Sequence, residues 1–312
     1  MRVIDIHTHG IAGYDTRTTD AVHILRIAEI HGSQGVSEII PTIYPAAIKV
    51  MRENMAVVRE AMERQKDSNK LQVTSNELKN KKESENSLLV TRHSSLIAGV
   101  HLEGPFLNFS KCGALNSMTF LEPTEYHLKE LIEGFEDMVK IITIAPELNG
   151  APGLIRKITD RGIIASMGHS DATHAEAEAG FHAGAKGITH IFNAMRGFHH
   201  REPGIAGFGL MNKDIYIEVI ADPHHLHPKT LELIFETKKA ERIIIISDTV
   251  KETTPFTKGQ GVTDIHGSLL GGSMTVSEAS VMLIEAGFDR DVVMKCITEN
   301  PERYMEAVTS DK

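Results

Sequence analysis

About eight runs of apolar, β-branched residues, separated by segments long enough to form helices, predict an α/β fold of the (β/α)8 barrel class. The runs show little alternation of apolar and polar residues, which is typical of strands buried on both faces of a parallel sheet. The 312 residues, 41% of them apolar, can form one large core. We therefore expect a single domain over residues 1–312. A doubly wound open sheet is the alternative fold.

The predicted elements alternate along the chain, strand then helix. Strands are predicted where Val and Ile are dense, in order over residues 3–7, 36–43, 97–102, 139–145, 163–167, 187–191, 215–220 and 243–247. Amphipathic segments between them predict helices over residues 21–31, 47–64, 123–133, 154–161, 173–183 and 228–238. A last packing helix is predicted to start at Thr275 or Ser277, either of which can cap it.

One segment, at about residues 65–95, does not follow this alternation. It is rich in Lys, Asn, Ser and Glu, and it lies between the second and third predicted strands. Such a composition indicates a polar insertion, either a mobile surface excursion or an extension of the preceding helix. We expect this insertion to be solvated and to have no catalytic role.

The composition excludes several classes of protein. A formal net charge of -9 argues against a nucleic-acid partner. The chain contains no apolar run near the roughly 18 residues of a membrane span, so no membrane association is expected. Its two cysteines, Cys112 and Cys296, are too few for a disulfide framework, and no signal peptide is evident at Met1. A cytoplasmic location is the expectation.

The stretch from Gly162 to Met195 is the clearest indication of a functional site. It reads as an apolar strand ending at His169, a helix from about Thr173, and a short strand that carries His190. The two histidines are 21 positions apart, which allows one crossover between parallel strands. Both imidazoles are therefore expected at the same carboxyl edge of the sheet.

Other possible metal ligands follow other predicted strands. His7 and His9 alternate at the end of the first strand, so their side chains can share one ion. Glu103 ends the third strand, where a helix cap or an ion-pair partner is the simpler explanation, and Asp248 follows four consecutive isoleucines at the end of the eighth. Because all these residues map to one rim, we predict a hydrolytic metal centre, with zinc, iron, manganese or cobalt as the candidate ions.

Several motifs, taken in order, resemble those of a known family. They are IDIHTHG (4–10), GVHLEGPFLN (99–108), IAPE (144–147), MGHSDAT (167–173), THIFNAM (189–195), HHREPGIAG (199–207), ADPHHLHP (221–228), ISDT (246–249) and ENP (299–301). This combination resembles the amidohydrolase superfamily and, within it, the N-acetylglucosamine-6-phosphate deacetylases. The resemblance covers nearly the whole chain and implies a TIM-like metal-dependent hydrolase barrel.

The resemblance implies roles for the residues on the rim. The three residues matching the principal metal ligands are Glu103, His169 and His190. The pair matching the ligands of a second ion, in those members that have one, is His7 and His9, so the resemblance implies one or two divalent ions. Asp248 matches the catalytic aspartate, which takes a proton from the attacking water and passes it to the departing amine. The residues matching the group that holds the sugar phosphate are Asn193, Ala194 through its backbone, Arg201 and His225.

Two differences from the family pattern bear on function. Relatives carry a carbonyl-polarising histidine where this chain has Leu115, so that help must come from a second metal or from one of His199, His200 and His224. Relatives also have a small β-sandwich domain, which we expect to be absent here. For Arg201, an ion pair with Glu202 or a neighbouring carboxylate is the alternative to phosphate binding.

These observations predict a hydrolase that deacetylates an N-acetylated amino sugar phosphate, N-acetylglucosamine-6-phosphate or a close analogue, and releases acetate. The alternatives are an amidohydrolase that acts on a different N-acyl or cyclic amide substrate, and a non-catalytic relative that binds a sugar phosphate. In related enzymes contacts between two subunits help to complete the pocket, so a homodimer is a further hypothesis.

Overall fold

The fold is a nearly closed barrel of eight parallel strands surrounded by helices. The computed structural model describes residues 2–78, 94–255 and 260–307. The barrel strands are β1 (Ile4–Thr8), β2 (Glu38–Ile43), β3 (Val100–Glu103), β4 (Val139–Ile144), β5 (Ile164–Met167), β6 (Gly187–Ile188), β7 (Tyr216–Ile220) and β8 (Ile243–Ile246). Each strand from β2 to β7 pairs in parallel with its predecessor and its successor. The predicted (β/α)8 barrel is confirmed.

The barrel closes between β1 and β8 through residues that follow or end these strands. The backbone N–H of Asp248 donates to the carbonyl of His7 at 2.8 Å. The carbonyl of Thr249 accepts from the N–H groups of His9 and Gly10 at 2.7 and 3.0 Å. The seam of the barrel therefore lies at the carboxyl end of the strands, where the predicted site residues are.

Ten helices are present in the described part of the chain. They are α1 (Ala21–Ser33), α2 (Ile48–Leu78), α3 (Glu125–Ile132), α4 (Ala151–Thr159), α5 (His174–His182), α6 (Gly204–Met211), α7 (Pro228–Thr237), α8 (Val276–Glu285), α9 (Arg290–Ile297) and α10 (Glu299–Glu306). The helix α2 continues into the predicted insertion as far as Leu78, as the helix-extension alternative requires. The rest of that segment, residues 79–93, lies outside the described residues.

Three helices, α6, α9 and α10, were not predicted from the sequence. Of these, α6 has the sequence GIAGFGLM and is buried on nearly all sides, so it has no polar face to reveal a helical period.

In the described ranges no helix combines the length and apolar character needed to cross a bilayer. That the chain is one domain without a small β-sandwich stays a prediction.

The apolar core has two layers. The larger layer fills the space between strands and helices, and the smaller layer fills the lower interior of the barrel. Tyr304, from α10, is fully buried in this smaller layer together with isoleucines of the strands. Its ring packs against the backbone of Gly187, where an added Cβ would lie 2.7 Å from the Tyr304 Cζ. The polar rim of the barrel therefore rests on a closed, apolar base.

Candidate active site

Six predicted residues converge at the carboxyl rim of the barrel. They are His7 within β1, His9 just after it, Glu103 as the last residue of β3, His169 after β5, His190 after β6 and Asp248 after β8. Three of them, His169, His190 and Asp248, have positive φ angles of 45°, 31° and 49°. Left-handed backbone is uncommon for residues other than glycine, and such strain is concentrated at functional sites.

Glu103, His169 and His190 form the first of two ligand groups. The Oε1 atom of Glu103 lies 3.1 Å from Nε2 of His169 and 3.0 Å from Nε2 of His190. The two imidazole nitrogens are themselves 3.1 Å apart. All three side chains are buried, so their nitrogen and oxygen atoms converge on a space shielded from bulk water.

His7, His9 and Asp248 form the second group, on the other side of Glu103. The Nε2 atoms of His7 and His9 are 3.3 Å apart, and Oδ1 of Asp248 lies 3.4 and 3.5 Å from them. Glu103 contacts this group as well, because its Oε2 lies 3.2 Å from Nε2 of His9. The Glu103 carboxylate is thus shared between the two groups.

The donor set fits divalent cations. Four imidazole nitrogens and two carboxylates face one another at 3.0 to 3.5 Å, and imidazole with carboxylate is the ligand set of zinc and similar transition metals. Burial alone would raise the pKa of Glu103, but the neighbouring imidazoles, His169 foremost, outweigh it and hold that pKa well below its usual range. Glu103 is therefore ionised, as a metal ligand must be.

The orientation of the imidazoles depends on residues around them. The Nδ1 of His7 lies 3.1 Å from the Glu218 carboxylate, and the Nδ1 of His169 lies 2.8 Å from the carbonyl of Lys111. The Nδ1 of His9 has no hydrogen-bond partner among the described residues. Its ring instead stacks on Tyr44, with centroids 3.8 Å apart.

Neither Glu218 nor Tyr44 was among the residues chosen from the sequence. Glu218 is the one charged residue in the apolar strand YIEVI, and a lone carboxylate in a buried strand is the signal that could have identified it. Tyr44 follows β2 directly, at the same rim of the barrel as the candidate metal ligands. Its outer face is covered by the guanidinium of Arg17, 4.1 Å from the ring centroid.

Glu147 holds together two of the loops that form the rim. One carboxylate oxygen accepts hydrogen bonds from the Asn108 side chain at 2.8 Å and the Asp171 backbone at 2.6 Å. The other accepts from the Ser170 hydroxyl at 2.7 Å. Because Ser170 is next to His169, these hydrogen bonds fix the loop that presents a candidate metal ligand.

A cavity of about 190 Å³ opens above the two ligand groups. Three of the four predicted sugar-phosphate residues, Asn193, Ala194 and His225, line it, and so does Leu115. Arg201 does not line it, since its side chain is exposed and Nη1 lies 3.0 Å from Nε2 of His200. The alternative ion pair with Glu202 is also not seen, because that carboxylate accepts hydrogen bonds from the backbone N–H groups of His174 and Gly204.

His225 is the pocket residue most suited to an anion. Its Nδ1 lies 3.0 Å from both carboxylate oxygens of Asp222. Burial opposes the charge on the imidazole, but the hydrogen bond and charge of Asp222 outweigh burial and raise the pKa of His225. The pKa of Asp222 is correspondingly lowered, since its hydrogen bond to His225 and the imidazolium charge outweigh the burial of the carboxyl group. The pair therefore favours the charged form of the His225 imidazole at the pocket wall.

Another part of the wall is apolar. Four side chains form it, namely Leu115, Ile220, Leu269 and Leu270. Leu269 and Leu270 belong to the small hairpin that follows Asp248 along the chain. The cavity thus combines a polar floor, an imidazole whose charged form is favoured, and apolar side chains in its wall.

Comparison with models of known protein families gives no match. Among curated proteins, the chain is 29% identical to N-acetylglucosamine-6-phosphate deacetylase of Vibrio furnissii over 88% of its own length. It is 33% identical to the enzyme of the same name from Bacillus subtilis over 90%, and 33% identical to N-acetylgalactosamine-6-phosphate deacetylase of Escherichia coli O157:H7 over 80%. The chain spans 65%, 63% and 59% of the lengths of these three relatives.

Solved structures agree with the sequence comparison. The N-acetylglucosamine-6-phosphate deacetylase of Thermotoga maritima superimposes with a TM-score of 0.78 at 26% identity, over 98% of this chain and 78% of that one. The Mycobacterium smegmatis enzyme in complex with N-acetyl-D-glucosamine-6-phosphate, at 23% identity, has the same fold with a TM-score of 0.78, over 97% and 77%. The chain is a homologue of the N-acetylglucosamine-6-phosphate deacetylases and shares their barrel.

Proposed function

We propose that the protein is a metal-dependent hydrolase that removes the acetyl group from an N-acetylated amino sugar phosphate, N-acetylglucosamine-6-phosphate or a close analogue. The observation that carries this proposal is the Asp248 carboxylate, which belongs to the second ligand group and also lines the cavity, where it is partly exposed. A carboxylate in this place can accept a proton from a water molecule that attacks an amide. The named activities of the relatives support the same reaction.

We further propose that the site holds two divalent ions. Glu103, His169 and His190 would hold one, and His7, His9 and Asp248 the other, with Glu103 between them. The donor set suits zinc, iron, manganese or cobalt without choosing among them. A bound ion of this kind polarises the acyl oxygen of the substrate and lowers the pKa of water at the site.

Asp248 would carry the proton in both halves of the reaction. Its carboxylate accepts a proton as the water oxygen forms a bond to the acyl carbon. It then returns that proton to the amide nitrogen as the carbon to nitrogen bond breaks. The products are the amino sugar phosphate and acetate, so atoms and charge balance without another reactant.

The substrate phosphate would be held by His225, Asn193 and the backbone at Ala194. The imidazolium of His225 supplies charge and a donor, while the positive φ of Ala194, 48°, marks a tight turn of backbone at the cavity. Arg201 can contribute only if its side chain turns away from His200 toward the mouth. We propose that it does so when the phosphate binds.

Leu115 removes one interaction that the relatives are expected to use. Its side chain lines the cavity but can neither donate a hydrogen bond nor carry charge. Loss of one donor to a developing oxyanion typically costs about 100- to 1000-fold in rate. We propose that the second ion, held by His7 and His9, replaces that donor.

A different N-acyl substrate is the second candidate. The apolar wall around Leu115, Leu269 and Leu270 favours it, because such a wall can also accommodate an acyl group larger than acetyl.

The homodimer remains a hypothesis that sizing of the purified protein tests.

The decisive experiment is acetate release from N-acetylglucosamine-6-phosphate by the metal-loaded protein, with Asp248→Asn as the matched variant. Loss of one general acid–base group typically costs about 100- to 10,000-fold in rate. We therefore expect turnover by the wild-type protein and a loss of that size in the variant. A folded, metal-loaded protein that releases no acetate contradicts the proposal and directs attention to other N-acyl substrates.

A further inference from the structure

Glu218 is a buried carboxylate beneath the candidate metal centre, and the reaction proposed above does not use it. It lies on β7, and its side chain is 1% exposed. One oxygen, Oε2, lies 3.1 Å from Nδ1 of His7, a residue 211 positions away in the chain. The other oxygen, Oε1, has no hydrogen-bond partner among the described residues. An ionised carboxylate in such surroundings is costly unless a positive charge lies near it.

The contact with Glu218 decides which nitrogen of His7 can bind a cation. A neutral imidazole has one N–H and one lone pair, and a neighbouring acceptor determines which nitrogen carries the proton. A carboxylate oxygen accepts, so Nδ1 of His7 is the donor and Nε2 keeps its lone pair. That Nε2 faces the centre, 3.3 Å from Nε2 of His9 and 3.4 Å from the Asp248 carboxylate.

Glu218 differs from the groups that contact the other imidazoles. His169 is oriented by a neutral backbone carbonyl, that of Lys111. The Nδ1 atoms of His9 and His190 have no hydrogen-bond partner in the described ranges. Glu218 therefore adds both orientation and negative charge, and it adds them on the side of His7. A negative charge behind an imidazole makes that imidazole a stronger ligand for a cation.

We propose that Glu218 is a positioning residue that sets the tautomer of His7 and, through its negative charge, strengthens the hold of the half-site of His7, His9 and Asp248 on its ion. The other half-site, with Glu103, His169 and His190, does not depend on it. This inference rests on the proposed two-ion site. It assigns to Glu218 a role in metal occupancy, without contact with the substrate.

The test compares Glu218→Gln with Glu38→Gln. Glu38 is also a buried carboxylate on a barrel strand, but it pairs with Arg2, away from the centre. The probe is Co²⁺, titrated into chelator-treated protein and followed by its visible absorption, with bound metal per chain measured by elemental analysis. Replacing a residue that orients a ligand typically weakens metal binding by about 10- to 100-fold.

We expect two Co²⁺ ions per chain in the wild-type protein and in Glu38→Gln. In Glu218→Gln we expect one ion with unchanged affinity and a second bound about 10- to 100-fold more weakly. Glutamine retains the shape and one acceptor oxygen, so circular dichroism should show a folded protein. Glu218→Asp shortens the side chain but keeps the charge, and it should bind the second ion more tightly than Glu218→Gln does.

The outcomes separate the two proposals. If wild-type protein binds one ion only, both the two-ion site and the role of Glu218 are overturned. If wild-type protein and Glu218→Gln both bind two ions with equal affinity, the two-ion site stands and the role of Glu218 is overturned. Equal weakening in Glu38→Gln would also overturn it, because the loss would then follow from removing any buried carboxylate.

Discussion

A methyl group added at Gly187 should displace Tyr304 from the base of the barrel. Gly187 is the first residue of β6, and its backbone φ is not in the left-handed region, so the substitution to alanine meets no backbone obstacle. The obstacle is steric. The new Cβ would lie 2.7 Å from Cζ of Tyr304 and closer still to its hydroxyl, and 3.1 Å from Oγ of Ser166.

The size of the effect follows from the burial of Tyr304. The side chain is fully buried, and truncating a buried aromatic residue to alanine typically costs about 3 to 5 kcal/mol. Overpacking usually costs about 1 to 3 kcal/mol, and a contact as close as this one belongs at the upper end. We expect Gly187→Ala to lower the free energy of unfolding by about 3 kcal/mol, a large part of the roughly 5 to 15 kcal/mol of a typical domain.

Urea unfolding of the chelator-treated protein measures this free energy. Gly187→Ala, Tyr304→Ala and the double variant form a cycle, in which the double variant should cost no more than Tyr304→Ala alone. Gly153→Ala is the matched control, since an added Cβ there meets no atom within 4 Å and alanine is favoured in the helix α4. Additive losses in the double variant, or a neutral Gly187→Ala, would refute the steric argument.

Two further predictions concern the pocket. In the Co²⁺ titration, Tyr44→Phe should bind the second ion as tightly as the wild-type protein does, because the aromatic ring that stacks on His9 is kept. Tyr44→Leu lacks that ring and should bind the second ion more weakly. Equal weakening in both variants would instead implicate the hydroxyl. Asp222 raises the pKa of His225 in the folded protein. The stabilisation of the folded state by this ion pair is therefore complete below the unfolded imidazole pKa of about 6.5, and it is lost as the pH rises through the higher folded pKa. His225→Gln should therefore destabilise the protein more at about pH 6 than at about pH 9, as measured by urea unfolding, and an equal loss at both values would contradict this.

The strand ends and the grouping of the candidate metal ligands could be predicted because both follow local rules. Parallel strands bring their carboxyl ends to one rim, so residues such as Glu103 and His190 are placed together as soon as the strands are recognised. Glu218 could not be placed in this way, because its contact with His7 depends on the register between distant strands. The position of Arg201 depends on the path of an exposed loop, which no periodicity describes.

Helices were predictable where one face was polar. Amphipathic segments such as α1 and α7 carry that signal, and the structure has them within a few residues of the predicted bounds. The helix α6 is enclosed on nearly all sides, so burial removes the contrast that periodicity needs. The end of α2 was ambiguous because a solvated helix and a solvated loop have similar polar compositions.

Because the candidate centre lies at the contact between β1 and β8, an ion bound there would also affect the stability of the barrel. Thr8 and Thr249 are 241 positions apart, yet their hydroxyls lie 2.8 Å from each other, with His7 and Asp248 immediately beside them. An ion shared by His7 and Asp248 would act as a cross-link between the first and last strands of the barrel, β1 and β8. Cross-links that close long loops restrict the unfolded chain, although the effect grows slowly with loop length. The reactivity of the centre and the stability of the closed barrel would then depend on the same bonds between the ion and its ligands.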